Sequence, residues 1–334
     1  MKKICFLFAL LFLISPLFSL SKKFKYNDFS LTAFYKSELQ PGDALFVRLV
    51  FECKNKKLIK SLGSTDKEKG NLALYRLLEQ DTVAEKASTK SQFYEIERKA
   101  TKKLIKSVLL TGAPLSTFAK AGDYVTKISF SAFGNEDSVE LPLKIVEKEF
   151  VSETIPLNES NTAIKTNLSK ERSDQIKRLN AILDTKDFAA VYETKAFAPP
   201  TPALRRTSFF GDRRLFAYSN GKSSTSLHYG IDYGIPTGNE VRSCGRGKVL
   251  MAENRISTGW SVCVEHLPGL YSLYYHMSEL KVEVGQMVDK GDLLGLSGAT
   301  GLATGPHLHW EVRLNMEAIS PDFMLEDFSF SSEK

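Results

Sequence analysis

The stretch GPHLHWEVR, residues 305–313, places two of the chain's five histidines at alternate positions in a run that reads as a β-strand. A strand turns residues i and i+2 to one face, so His307 and His309 stand side by side, about 7 Å apart at the backbone, with Leu308 facing the other way. Working outward, KVLMAEN (248–254), WSVCVEHL (260–267) and YSLYYHM (271–277) are equally short, aromatic or β-branched, and separated by glycine turns. Residues 196–330 therefore read as an all-β domain, a multi-stranded barrel-like or split-sandwich core. All five histidines fall in it, and the 227 residues before His228 contain none.

Residues 24–150 are also strand-rich. In DYVTKISFSAF (123–133) Thr126, Ile128, Phe130 and Ala132 share a face, and in VELPLKI (139–145) Val139, Leu141, Leu143 and Ile145 do. Such alternation implies antiparallel sheet with one wet side, and turns at Gly42, Gly112 and Gly122 suggest a β-sandwich of immunoglobulin-like type. Pro142 cannot donate to a ladder, so its strand is expected at an edge or at a bulge.

Residues 151–195 change character. Ile176, Leu179, Ile182 and Leu183 follow the capping-type residues Asn167 and Ser169, which predicts one amphipathic helix in a polar connector that acts as a spacer. Pro199, Pro200 and Pro202 stiffen the approach to the last domain.

Composition places the chain among globular proteins: 334 residues, 43% hydrophobic and 25% charged, enough for two ordinary domains. The first 21 residues, with two lysines, an apolar run from Ile4 to Leu20 and small residues at Ser19 and Ser21, read as an export signal. The run is close to a minimal membrane span, so an uncleaved anchor is the alternative. Both readings put the bulk of the protein outside the cytoplasm, in the cell envelope or periplasm. The balance of +6 falls to +4 when Lys2 and Lys3 leave with the signal. That is mildly basic, compatible with an anionic envelope polymer and far from a nucleic-acid-binding surface. Cys53, Cys244 and Cys263 lack CxxC spacing, which argues against a thiolate-held metal and favours buried thiols over a Cys244–Cys263 bridge.

The chemistry begins at HYGID, residues 228–232. On an extended chain His228 and Asp232 would be separated by about 13 Å, near the limit for two side chains to reach one ion, and a bend at Gly230 would close the distance. Imidazole and carboxylate are both good zinc ligands, and HxxxD with one further histidine makes three, leaving a fourth position vacant as catalytic sites do.

SFFGDRR, HYGIDYGIPTGNEV and the run from Gly269 to Val312, with SLYYHMS and GPHLHW inside it, closely resemble the lysostaphin-type (LytM-like) zinc metallopeptidases, which cut peptide bonds in peptidoglycan. The resemblance covers about residues 207–322. It implies that His228, Asp232 and His309 hold Zn2+, and that His276, of the Tyr274–His276 element, and His307 are the catalytic histidines. Its implied partners are peptidoglycan stem peptides or cross-bridges. The chain has no HExxH helix, so no glutamate is placed by motif as a base, and histidine is left for that role. His266 is read as structural. Trp260 departs from the family pattern, which commonly has a polar residue after this glycine, and bears on substrate preference.

Two other function classes compete. VEVGQMVDKGDLLGLSG has the rhythm of a lipoyl- or biotin-carrier hairpin, but Lys290 lies one residue before a glycine rather than at a hairpin tip. A non-catalytic envelope binding or activator protein could keep the fold, yet degenerate members usually lose ligands and this chain keeps all five positions.

Overall fold

The computed structural model describes residues 20–62, 67–79, 82–326 and 329–330. Most of the expected export signal lies outside them. Among the described residues no helix is long and apolar enough to cross a membrane.

The amino-terminal domain is built from two five-stranded sheets. One runs in the order Leu20–Lys25, Phe29–Tyr35, Ala44–Cys53, Ile105–Pro114, Tyr94–Ala100; the other runs Glu38–Leu39, Asn135–Ile145, Gly122–Ala132, Lys69–Arg76, Thr89–Gln92. The alternating sets face inward: Phe29, Leu31, Ala33 and Tyr35 are buried from one sheet, Val139, Leu141, Leu143 and Ile145 from the other. Aromatic rings join the sheets, with Phe29–Phe133 and Phe51–Phe130 centroids 5.2 and 5.4 Å apart. Among the described residues the outer side of Asn135–Ile145 is paired only at Lys144 and Ile145, so Pro142 sits on a sheet edge.

Ala44–Cys53 and Ile105–Pro114 are buried on both faces instead of alternating. The carboxy-terminal domain covers their outer side: Phe46 lies 4.7 Å from Phe330 and 6.2 Å from Phe323 between ring centroids, and Asn315 donates to the Gly112 carbonyl. A second buried face is what a continuous apolar run such as ALFVRLVF needs.

The carboxy-terminal domain is organised by one large sheet, ordered Arg206–Ser208, Gly230–Tyr233, Leu308–Leu314, Leu270–Met277, Gly259–Leu267, Gly247–Arg255, Met287–Val288. The two strands at its centre, Leu270–Met277 and Leu308–Leu314, are almost wholly buried. Leu308, Trp310 and Val312 enter the core on one face, while His309 and Glu311 point to the other.

The connector differs from the expected spacer. Ser152–Pro156 pairs in parallel with Arg213–Ala217 and so joins a small sheet of the carboxy-terminal domain. A short helix, Glu159–Lys165, precedes the expected one, Lys170–Asp184, whose Ser169 cap accepts from the Arg172 N–H. Leu179, Ile182 and Leu183 pack on Met251, Tyr271 and Leu273, on the same sheet face as His309. Ile176, expected on the buried stripe, is exposed; Gln175 is buried in its place and its side chain accepts from the Ile256 N–H. The helix is rotated so that a polar side chain can satisfy the end of a strand.

Candidate active site

The turn at Phe209–Asp212 prepares the site. The Phe209 N–H donates to the Asp212 carboxylate, and Gly211, at φ 87°, carries the chain through a conformation closed to most side chains. The Phe209 carbonyl then accepts from Nδ1 of His228 at 2.8 Å, which leaves Nε2 of His228 facing inward. The expected bend at Gly230 is not where the chain turns: Gly230 begins the strand Gly230–Tyr233, and His228 precedes it. Gly230 is required for close approach, since a Cβ there would lie 2.2 Å from the Trp310 carbonyl oxygen and 2.8 Å from Nε2 of His309.

Asp232 and His309 are directly opposite in the antiparallel ladder. Asp232 Oδ1 is 3.0 Å from His228 Nε2 and 2.9 Å from His309 Nδ1, and the two nitrogens are 3.0 Å apart. These three buried donor atoms form a near-equilateral triangle that could hold a metal ion. Tetrahedral zinc with bonds of about 2.0–2.1 Å holds its donors about 3.3 Å apart, so the residues fit zinc with only a slight opening of the triangle. The electrostatics agree. Burial alone would raise the Asp232 carboxyl, but hydrogen bonds from His228 and His309 hold it well below the usual carboxylate range. Burial works against charge on His309, yet Asp232 and Glu311 push it up to about 9. Burial holds His228 below its ordinary value, so the negative charge of the triangle lies on Asp232, and that charge is what a divalent cation would meet.

The outer atoms of this set are also fixed. His309 Nε2 is 3.4 Å from Glu311 Oε2, and the buried Glu311 is paired in turn with Arg313. Asp232 Oδ2 accepts from Arg214 Nη2 at 2.9 Å, and Arg214 Nε donates to Glu153 from the connector strand.

His276 and His307 stand beside the triangle, their ring centroids 4.6 Å apart. Nδ1 of His276 contacts the Thr300 carbonyl and Nδ1 of His307 the Gly305 carbonyl, each at 2.8 Å. A carbonyl can only accept, so each Nδ1 donates, and in the neutral ring Nε2 is then the acceptor. His307 Nε2 is 3.8 Å from Asp232 Oδ1. His276 sits at φ 63°, a left-handed conformation rare outside glycine, held by its backbone N–H on Thr258 and its ring on Thr300. Burial, with His307 and His309 as neighbours, pushes its pKa down to about 3.

All five residues named from the sequence are thus together at the foot of an open groove of about 490 Å³. Its walls include Ile155, Leu157, Phe216, Leu227, Tyr229 and Leu302. His266 lies elsewhere, fully buried between the Arg246 carbonyl and the Ser272 hydroxyl. Trp260 is half-exposed and is not among the groove-lining residues. Cys53, Cys244 and Cys263 are buried and free, and burial raises the thiols of Cys244 and Cys263.

Residues 226–321, which contain all five of these side chains, match the family model described as peptidase family M23. The carboxy-terminal domain belongs to that family. Over 169 residues the chain is 31% identical to the peptidoglycan DD-endopeptidase ShyA of Vibrio cholerae, a match covering 50% of this chain and 38% of ShyA. It is 38% identical over 95 residues to the DD-carboxypeptidase/endopeptidase Mpg of Neisseria meningitidis, covering 28% of this chain and 22% of Mpg. The match therefore spans well under half the length of these curated relatives. A crystal structure from Pseudomonas aeruginosa assigned to peptidase M23 superposes over 86% of this chain and 95% of its own, with TM-score 0.52 at 18% identity, a likeness of fold that reaches beyond the M23 domain.

Sequence reasoning missed the residues behind the M23 motif. Glu311 and Arg313 were visible in principle, because they follow His309 at i+2 and i+4 on the same strand face. Arg214 lay in the quoted SFFGDRR stretch without a role. Glu153 carried no local signal, since its place depends on pairing with a strand some sixty positions later.

Proposed function

We propose that the chain is an exported zinc endopeptidase that hydrolyses peptide cross-links of peptidoglycan in the cell envelope or periplasm, with no nucleic-acid partner. The observation that carries this reading is the His228–Asp232–His309 triangle at the foot of an open groove, with His307 Nε2 3.8 Å from Asp232 Oδ1 and the His276 ring 4.6 Å from that of His307. The M23 match and the peptidoglycan endopeptidases among the curated relatives support the substrate class.

His228, Asp232 and His309 are the residues that would hold the metal. Zinc held there would supply polarisation of a scissile carbonyl and a water whose pKa is lowered to about 7. With Nδ1 donating to a carbonyl, the neutral ring of His307 or His276 can take a proton from attacking water through Nε2, and the protonated ring can donate to the developing oxyanion. The Nδ1 contacts keep both rings from turning that nitrogen away. The groove accepts an extended peptide, and its apolar walls exclude water from around the bond that is cut.

A non-catalytic binding or activating protein of the same fold is the competing reading, and one experiment separates the two. Purified peptidoglycan is incubated with the zinc-loaded full chain, with and without a chelator, and soluble fragments are identified by mass. Chelator-sensitive release of fragments with a newly exposed amine and carboxylate supports the endopeptidase. Tight binding to the wall polymer without any new termini overturns it.

A further inference from the structure

Asp232 is the one carboxylate in the donor triangle, and only its Oδ1 faces the two histidines. A carboxylate anchored through one oxygen turns about its Cβ–Cγ bond unless the other is held. Among the described residues the partner of Oδ2 is Arg214, whose Nη2 donates at 2.9 Å. The guanidinium is itself fixed, with Nε donating to Glu153 at 2.8 Å. Glu153 and Arg214 are register partners in the parallel ladder between Ser152–Pro156 and Arg213–Ala217, so backbone pairing sets the ion pair. Planar guanidinium suits this task, because two of its N–H groups point at two carboxylates in a fixed fork. The side chain of Arg214 is only 13% exposed, and that of Glu153 33%.

The geometry points to Arg214, braced by Glu153, as a positioning residue that orients the Asp232 carboxylate for metal. The inference rests on the metal reading above. Its consequence is organisational: both residues precede the 226–321 stretch matched by the family, and Glu153 belongs to the segment that reads as a connector. The connector strand would then be part of the metal centre rather than a tether to it.

The test uses the full chain, stripped of metal and titrated with Zn2+ in competition with a chromophoric chelator, and separately with Co2+ while its visible absorption is read. Arg214→Gln is expected to weaken zinc binding about 10- to 100-fold, the range for losing a residue that orients a ligand, and to shift the cobalt band. Arg214→Lys should recover part of the affinity, since it keeps the charge but not the fork. Glu153→Gln should weaken zinc by a smaller factor, and the double variant should bind no more weakly than Arg214→Gln alone. Asp232→Ala separates the two readings. If it loses zinc while Arg214→Gln and Glu153→Gln keep wild-type affinity and an unshifted cobalt spectrum, the positioning role is overturned and the metal site stands. If Asp232→Ala binds zinc as tightly as wild type, the metal site itself is wrong and this inference falls with it. Should Arg214→Gln fail to fold, Glu153→Gln, on a half-exposed edge strand, decides alone.

Discussion

Glu311 follows His309 by two residues on one face of the strand Leu308–Leu314, and its Oε2 lies 3.4 Å from His309 Nε2. The strand therefore carries an imidazole of the donor triangle and a carboxylate in contact with it, with Arg313 one further step along to neutralise that carboxylate. Burial alone would raise Glu311, but Arg313 and His309 hold it below its ordinary value.

Glu311→Gln should consequently do two kinds of harm. It leaves Arg313 without its buried partner, which costs roughly 3–5 kcal/mol when one member of such a pair is removed. It also frees the His309 ring, so zinc affinity should fall about 10- to 100-fold. Chemical denaturation of the metal-free protein reads the first effect and chelator competition the second; wild-type values in both would refute the linkage.

The strands and the inward faces of the two amino-terminal sheets were legible from alternation, whereas the grouping of His228, Asp232, His276, His307 and His309 was legible through motifs that resemble the lysostaphin-type peptidases, HxxxD, YxH and HxH, and their roles are those proposed above. What was not legible depends on partners remote in sequence. Ile176 and Gln175 compete for one position on the helix Lys170–Asp184, and the choice is made by the Ile256 N–H. The strand at Glu153 is too polar and short to announce itself, and it forms because Arg213–Ala217 offers an edge. Gly230 invited a bend from its residue type, whereas the structure uses its missing side chain for contact with Trp310.

Gly230→Ala tests that last point. The added carbon would lie 2.2 Å from a backbone oxygen of the neighbouring strand, which cannot swing aside as a side chain could. The expected loss is at least the roughly 1–3 kcal/mol typical of overpacking, read as a shift in the denaturation midpoint. An unshifted midpoint would mean the strands are not paired in this register.

Removing the connector should be worse than removing the sandwich. A chain beginning at residue 196 exposes Met251, Tyr271 and Leu273, which Leu179, Ile182 and Leu183 cover, whereas a chain beginning at 151 keeps that cover. Burial of a large apolar side chain contributes about 1.5–3 kcal/mol, so loss of three such covers is a large fraction of domain stability. Thermal unfolding and light scattering of the two fragments, side by side, give the answer; equal stability would restore the connector to a passive spacer.

His266 predicts a pH dependence of folding away from the groove. Burial pushes its pKa down to about 4, against about 6.5 in the unfolded chain. Between those values the unfolded chain binds a proton that the folded one refuses, so stability rises with pH through that window. The contribution is complete above about pH 6.5 and is lost as pH falls toward 4, amounting to about 3 kcal/mol. His266→Gln should flatten the difference between urea midpoints measured at pH 7 and pH 4.5 in metal-free protein. A slope equal to wild type would show that this histidine is not the buried neutral group the structure makes it.

The two histidines of GPHLHWEVR should be separable by experiment, because His309 lies within the strand Leu308–Leu314 whereas His307 sits just before it, in an isolated bridge to Gly298. His309 gives Nδ1 to the donor triangle, so His309→Ala should lose zinc and turnover together. His307 lies beside the triangle with Nδ1 on the Gly305 carbonyl, so His307→Ala should keep zinc and lose turnover by about 10²- to 10⁴-fold, the range for removing a positioned proton-transfer group. His276→Ala should resemble His307→Ala in keeping its metal, because Nδ1 is committed to Thr300 and its ring stands outside the triangle. Alanine keeps the Cβ at φ 63° and loses the ring contact to Thr300 that helps hold that conformation, so the denaturation midpoint is read alongside to separate chemistry from folding. Zinc content and turnover on the three variants decide the division of labour, and a metal-free His307→Ala beside a loaded, active His309→Ala would reverse it.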